Sequence, residues 1–418
     1  MEKLTTKKQI NGMALLFAVT YMVSYITRTN YGAIISNMVE QTGYTKDLLS
    51  MALTGSFITY GTGQIVSGIL GDRFSPKKLI TCGLVATVIM NILIPFCQDP
   101  YQMLAVWCVN GFAQAFMWPP IVRLMTALLS ESDYKDASVK VSWGSSIGTI
   151  VVYLISPIII SLFSWKGVFF FSATCGVIMI VIWNIFSYEI QPSKKEKTAN
   201  GKSSEKKQKI SAKVLFAPVV LGAMLGIVLQ GMLRDGVTTW MPSYIDETYG
   251  LGSVLSILTG VVLPIFSIIS FRVAGAMYKK ITNPMTCAGI IFGVGAVSAL
   301  ALYLFTGSNA VFSVIFSALL TGCMHGVNLI LICMIPPFFK KYGNVSTVSG
   351  VLNSCTYIGS AIATYGIAVI SEKMNWSFTL LIWFAIAVAG TAVCLICAAP
   401  WKKKMMVDTQ VQNKEEEA

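Results

Sequence analysis

The stretch YMVSYITRTNYGAIISNM, residues 21–38, is apolar or neutral at every position but one, Arg28. Apolar sequence continues upstream to Ile10. A helix crosses a bilayer with about 20 mostly apolar residues, so the run 10–38 is long enough to span. A permanent cation inside such a run is expensive. The membrane reading of this stretch therefore raises the question of what Arg28 is for.

Working outward, the same pattern recurs along the chain. Twelve apolar runs can be drawn, at about 10–38, 47–70, 78–97, 101–129, 138–163, 166–188, 213–244, 251–278, 283–306, 309–339, 345–371 and 376–399. Of the 418 residues, 55% are hydrophobic and only 12% charged, against about 25% charged in a soluble domain. The fold expected is an all-α membrane protein of twelve transmembrane helices. The first run is too long for the apolar core of a cleavable signal and has no small-residue cleavage site after it, so it reads as a span that stays.

The net charge of +12 could suggest a nucleic-acid partner, but its distribution argues against one. Odd-numbered loops carry only Lys46, Lys166 and Lys373, whereas the even-numbered loops and the tails carry the lysine clusters. That asymmetry predicts a multi-pass protein of the plasma (inner) membrane with both termini cytoplasmic. The ten cysteines lie in or beside the apolar runs without metal-ligand spacing and read as small packing residues. A polar, lysine-rich stretch, QPSKKEKTANGKSSEKKQKISAK (191–213), halves the chain. The expected organisation is a six-helix bundle over 1–190, a cytoplasmic linker over 191–212, a second six-helix bundle over 213–400 and a cytoplasmic tail over 401–418. The tail's MMVDTQVQNKEEEA reads as disordered.

The halves repeat one another. Trp118-Pro119-Pro120 recurs as Ile335-Pro336-Pro337, the Gly148 motif at Gly359, Trp165 at Trp376 and Arg28 at Arg234, all 206 to 217 positions apart and in the same order. A parallel repeat of six spans is a transporter architecture, with the binding site at mid-membrane between the repeats. The proline pairs are expected to bend spans 4 and 10.

Arg28 and Arg234 lie 20 and 21 residues after Lys8 and Lys213, and each lies 12 residues before an acid, Glu40 and Asp246. Both therefore sit about 18 Å inside the outer acidic marker. An arginine in a membrane helix costs about 2.5–3.5 kcal/mol on insertion scales. Two at matched depth are expected to face one wet cavity, where they repel unless an anion lies between them. Guanidinium is always charged and offers planar donors that suit phosphate or carboxylate. Neighbouring residues on a helix point apart, so Asp235 is expected not to neutralise Arg234 but to tie a neighbouring helix or carry a coupling proton.

GILGDRFSPKKL (68–79), between spans 2 and 3, resembles the loop signature of the major facilitator superfamily, with Gly68, Asp72, Arg73, Lys77 and Lys78 filling it. Gly68 would allow close helix approach, and the charges would form a conformation-dependent latch. Within that superfamily the chain resembles the organophosphate:phosphate antiporters, including glycerol-3-phosphate and hexose-phosphate transporters. YITRTNY (25–31), LRDGVTTWMPSYI (233–245) and NGFAQAFMWPP (110–120) carry the resemblance. It implies that Arg28 and Arg234 bind substrate, with Tyr21, Tyr25, Tyr60, Trp118, His325 and Tyr357 around them. The chain departs from the family at three places. Gln64 stands where the family has a second-span lysine, Thr29 where a lysine follows the first arginine, and Ile147 where a fifth-span histidine lies. Gln64 is kept as a candidate substrate contact, and the loss of cationic groups points to a smaller or less charged anion.

The reading is a secondary transporter that exchanges a small phosphorylated anion for inorganic phosphate by alternating access. The alternative is a proton-coupled symporter of a phosphonate or carboxylate, using His325 or Asp235. A sugar-phosphate sensor is a third reading, disfavoured by the lack of an extension that would contact a kinase. No enzyme motif, cofactor or metal site is indicated, and a monomer in the lipid bilayer is expected.

Overall fold

The computed structural model describes residues 3–189, 217–251, 258–342 and 345–416. The linker expected over 191–212 lies outside the described residues. The described chain is helical and contains no strand. Its helices are α1 (Lys7–Ala33), α2 (Ile35–Thr42), α3 (Lys46–Arg73), α4 (Pro76–Leu93), α5 (Pro100–Gln114), α6 (Trp118–Leu128), α7 (Glu131–Leu162) and α8 (Trp165–Phe186), followed by α9 (Pro218–Tyr249), α10 (Val262–Lys280), α11 (Pro284–Leu304), α12 (Ala310–Asn328), α13 (Val345–Lys373) and α14 (Trp376–Glu416). Several starts are set locally. Asp99, Asn283 and Asn309 accept backbone N–H groups of the first turn, and Pro76, Pro100, Pro218 and Pro284 open helices where no N–H is needed.

Among the described residues, nine helices are long and apolar enough to cross a membrane, three fewer than the twelve runs. The shortfall has a physical reason. The fourth run is broken into α5 and α6, just ahead of Trp118-Pro119-Pro120. The other two, α3 and α13, are rich in Gly, Ser and Thr because one face of each packs closely on the other at the junction of the bundles, while Ile58 and Ile358 remain exposed on their outer faces. Span 10 is likewise broken: α12 passes into a π-helical turn, Leu329–Cys333, and then a 3₁₀ turn beginning at Pro336. Both proline pairs thus interrupt their spans as expected. The tail differs from expectation: α14 continues to Glu416, since the sequence beyond Pro400 contains no glycine or proline and many strong helix formers.

Helices α1–α8 and α9–α14 form two bundles whose packing repeats. Gly148 of α7 lies against the Met22 carbonyl of α1, and Gly359 of α13 lies against the Val228 carbonyl of α9. Met22 and Val228 have the same 206-residue offset as Arg28 and Arg234, so the duplication extends to backbone contacts. The bundles meet through α3 on α13 and α7 on α10. Large apolar side chains on the outside, such as Leu162, Phe163, Ile185, Val297 and Ile396, are exposed. An apolar exterior is what lipid, not water, tolerates.

Candidate functional site: a cavity between the two bundles

Tyr21, Tyr25 and Arg28 lie three and four residues apart on one face of α1. That face turns inward, toward the partner bundle. Arg28 is 9% and Arg234 5% exposed, so neither guanidinium snorkels to a headgroup. Their surroundings differ. Arg28 Nη1 donates to the Tyr357 hydroxyl at 3.2 Å, and its guanidinium carbon sits 4.3 Å from the Tyr25 ring centre and 4.6 Å from that of Tyr60. Tyr60 and Tyr357 pack with centres 4.3 Å apart. Three phenol rings from α1, α3 and α13 thus enclose a cation that has no carboxylate partner among the described residues. Ring faces attract it through their quadrupoles.

Arg234 is held by an acid. Its Nε donates to Asp235 Oδ1 at 2.7 Å and its Nη2 to Asp235 Oδ2 at 2.8 Å. Ser360 Oγ also donates to that carboxylate, and Arg234 Nη1 reaches Asn328 Oδ1 at 3.4 Å. The expectation that Asp235 faces away from Arg234 is therefore corrected. The helix-face rule concerns where side chains leave the backbone. The long arginine side chain folds back to its neighbour, and Ser360 of α13 holds the carboxylate in place. Asp235 does touch a neighbouring helix, as expected, through that serine.

Beside Arg234, where the two bundles face each other, lies a narrow cavity. From the first bundle it is lined by Tyr21, Tyr25, Trp118, Ser142 and Ser145. From the second it is lined by Arg234, Phe271, His325, Asn328, Asn353 and Tyr357. The open space, about 20 Å³, suits a water or two. Tyr21 packs against Tyr25 and Trp118, with ring centres 5.2 and 5.1 Å apart, and His325 lies edge-on to Phe271 at 5.4 Å. The Trp118 indole N–H is buried without a protein partner. Arg28 is not on the wall; it lies behind Tyr25 and Tyr357.

Gln64 is not brought to the cavity. Its Nε2 donates to the Ala115 carbonyl at 3.3 Å, at the break between α5 and α6. Ile147 is exposed on the outside of the bundle, and the Thr29 hydroxyl donates to the Tyr25 carbonyl at 2.8 Å, so none of the three family departures lines the cavity. Sequence reasoning missed Ser142, Ser145, Asn328, Asn353 and Ser360. The two asparagines carried a usable signal, being amides inside apolar runs where a polar side chain needs a partner.

At the end of the molecule that carries Lys7 and Lys279, the basic end, the bundles are joined. Asp72 accepts the N–H groups of Ser346 and Thr347 at 3.1 and 2.8 Å and the Thr347 hydroxyl at 2.6 Å, so it caps the free first turn of α13. Burial raises the Asp72 carboxyl above its ordinary value, opposed by these same bonds and by nearby Arg123. A Cβ on Gly68 would lie 2.8 Å from the Ser346 carbonyl oxygen, so glycine is required for this approach. Deeper in, Tyr134 donates to the Cys333 carbonyl at 2.6 Å and Trp143 to that of Ile268 at 3.2 Å. Of the other latch candidates, Lys77 bonds the Asn184 and Ser187 carbonyls at the end of α8 and Lys78 approaches Glu189 at 3.8 Å. Arg73 is exposed. Asp72 and Gly68 thus join the two bundles, while Lys77 and Lys78 brace their own bundle. Arg123, which bonds the Gly71 and Phe74 carbonyls, is a further brace within the first bundle, placed beside Asp72, that was not foreseen.

Comparison with known proteins fits this architecture. The chain is 22% identical over 397 residues to the membrane sensor protein UhpC of Salmonella typhimurium, covering 90% of this chain and 88% of that protein. It is 24% identical over 395 residues to the glycerol-3-phosphate transporter of Bacillus subtilis, covering 87% and 86%. It is also 24% identical over 392 residues to a probable hexose phosphate transport protein of Chlamydia trachomatis, covering 85% and 84%. The sequence pattern described as Major Facilitator Superfamily matches residues 17–364. With that match spanning most of a duplicated, all-helical membrane fold, the chain belongs to the Major Facilitator Superfamily.

Proposed function

We propose that this protein is a secondary transporter that moves a small phosphorylated anion across the cell membrane in exchange for inorganic phosphate. The observation that carries this reading is the pair of buried arginines at repeat-related positions on either side of Tyr357, next to a cavity shared by both bundles. Arg28, without a carboxylate partner, is the principal anion holder. An incoming phosphoryl oxygen takes the place of the Tyr357 hydroxyl on its guanidinium. Arg234 contributes Nη1, which has only a long bond to Asn328, and the Trp118 N–H adds a further donor. The names of the glycerol-3-phosphate and hexose phosphate relatives support a phosphorylated substrate.

The basic end is the cytoplasmic end, and the protein works as a monomer. With that end latched, substrate enters from the opposite side. Binding neutralises the site, the bundles rock about the α3–α13 and α7–α10 contacts, and the Asp72 latch releases. An empty cavity retains an unbalanced cation, which opposes rocking until a second anion enters. Exchange follows from that electrostatic penalty without ATP.

A proton-coupled symporter is the second reading, favoured by Asp235 on Arg234 and His325 on the same cavity wall. A sensor also stays in view. The sensor relative is matched over 88% of its length, so an extra domain does not separate the two classes. Proteoliposomes loaded with inorganic phosphate and offered labelled phosphate distinguish all three. Exchange that needs internal phosphate and ignores a pH gradient supports the proposal. Uphill uptake driven by a pH gradient alone favours the symporter, and absence of flux with retained binding favours the sensor.

A further inference from the structure

We infer that Asp235 sets the charge of the anion that this cavity accepts, restricting it to a single negative charge. The inference rests on the anion-binding reading above and deepens it. The argument is a charge count. Arg28 contributes one positive charge with no carboxylate beside it. Arg234 contributes another, but both oxygens of Asp235 lie against its Nε and Nη2 at 2.7 and 2.8 Å. The groups facing that pair are the Ser360 hydroxyl and Tyr357 from α13, Asn328 and His325 from α12 and Tyr25 from α1. All are uncharged when His325 is neutral, so the cavity carries one net positive charge. A monoanion brings it to zero. A dianion leaves one negative charge uncompensated among groups buried between the bundles, where a bare charge is strongly disfavoured. The accepted class is then a phosphodiester, a phosphate monoester carrying one proton, or a singly charged phosphonate or carboxylate.

Equilibrium binding of methyl phosphate and dimethyl phosphate to the purified full chain, from pH 5 to pH 8, tests this. A phosphate monoester loses its second proton near pH 6, whereas the diester stays monoanionic throughout. Expected is a fall of about a hundredfold in methyl phosphate affinity between pH 5 and pH 8, following the monoanion fraction, with dimethyl phosphate unchanged. Asp235→Asn should abolish that fall and hold the dianion at pH 8. Arg234→Gln combined with Asp235→Asn restores one net charge without leaving a bare buried ion, and should restore the fall. Equal methyl phosphate affinity at both pH values in the wild type overturns the inference. So does a parallel loss for both ligands, which would trace the effect to a protein group such as His325. If Asp235→Asn is too unstable to purify, the wild-type comparison and the double variant still decide. Binding of neither ligand at any pH overturns the anion-site reading itself, a result distinct from binding that ignores ligand charge.

Discussion

Two arginines at equivalent points of a duplicated fold are handled in opposite ways. In the first bundle, Arg28 is wrapped by Tyr25, Tyr60 and Tyr357, with aromatic faces and one hydroxyl as its company. In the second, Arg234 is clasped by Asp235, which is itself held by Ser360. Duplication fixed the backbone positions, since Met22 on Gly148 and Val228 on Gly359 repeat the same crossing. It did not fix the electrostatics. The tyrosine cage leaves a cation whose charge is unspent, while the acid clasp leaves a neutral pair with one long-bonded Nη1. Binding strength should therefore reside chiefly in the first bundle, and charge selectivity and fold stability in the second.

This contrast can be broken most forcefully through stability. Arg234→Ala strands the Asp235 carboxylate and should destabilise the protein by about 3–5 kcal/mol, read as a large drop in thermal midpoint in detergent. Adding Asp235→Asn should recover most of it. Arg28→Ala strands no acid and should change stability by no more than about 1 kcal/mol. Equal losses in the two single variants would show that the two environments are energetically alike.

A second prediction concerns the closed basic end. A side chain at Gly350 would overlap the Gln64 carbonyl and come within 3.2 Å of the Gly68 Cα. Gly350→Val should hold this end open by overpacking, worth about 1–3 kcal/mol. Maleimide labelling of buried Cys333, followed by peptide mass, should accelerate by about tenfold. Asp72→Asn acts in the same direction but removes only ionic capping, about 1 kcal/mol, for a few-fold acceleration. Unchanged labelling in both variants would remove α3–α13 contact from the gate.

The smallest expected effects sharpen the description of the cage. Tyr357→Phe deletes the hydroxyl on Arg28 and should change anion affinity by about 1 kcal/mol. Tyr60 offers chiefly its ring face to Arg28, so Tyr60→Phe should change it by only about a few tenths of a kcal/mol. A reversed order would mean that Tyr60, not Tyr357, is the hydrogen-bonding member.

Much of the scaffold was legible because membrane folding depends on patterns that letters carry directly. Apolar run length marks spans, and Arg28, Arg234, Gly148 and Gly359 mark the repeat. The proline pairs marked both broken spans. What escaped depends on side-chain reach. Helix-face geometry describes where Arg234 leaves the backbone but not where its guanidinium ends, so the Asp235 clasp was missed. Gln64 was placed by alignment in the cavity, yet its amide satisfies a carbonyl freed at the α5–α6 break. Arg28 sits behind its tyrosines rather than on the wall, because three rings from three helices converge on it and no single span reveals that. Ser360 and Asn353 are ordinary polar residues of a central helix, and only the packing of α9 against α13 shows what they meet.

The central claim is that Arg28 is the principal holder of a negatively charged solute. It is tested most directly by measuring inorganic phosphate binding at pH 6 to purified wild type and to Arg28→Ala of equal thermal stability. Saturable binding by the wild type, weakened at least about a hundredfold in Arg28→Ala, is the predicted result. Retention of wild-type affinity in Arg28→Ala would contradict the account.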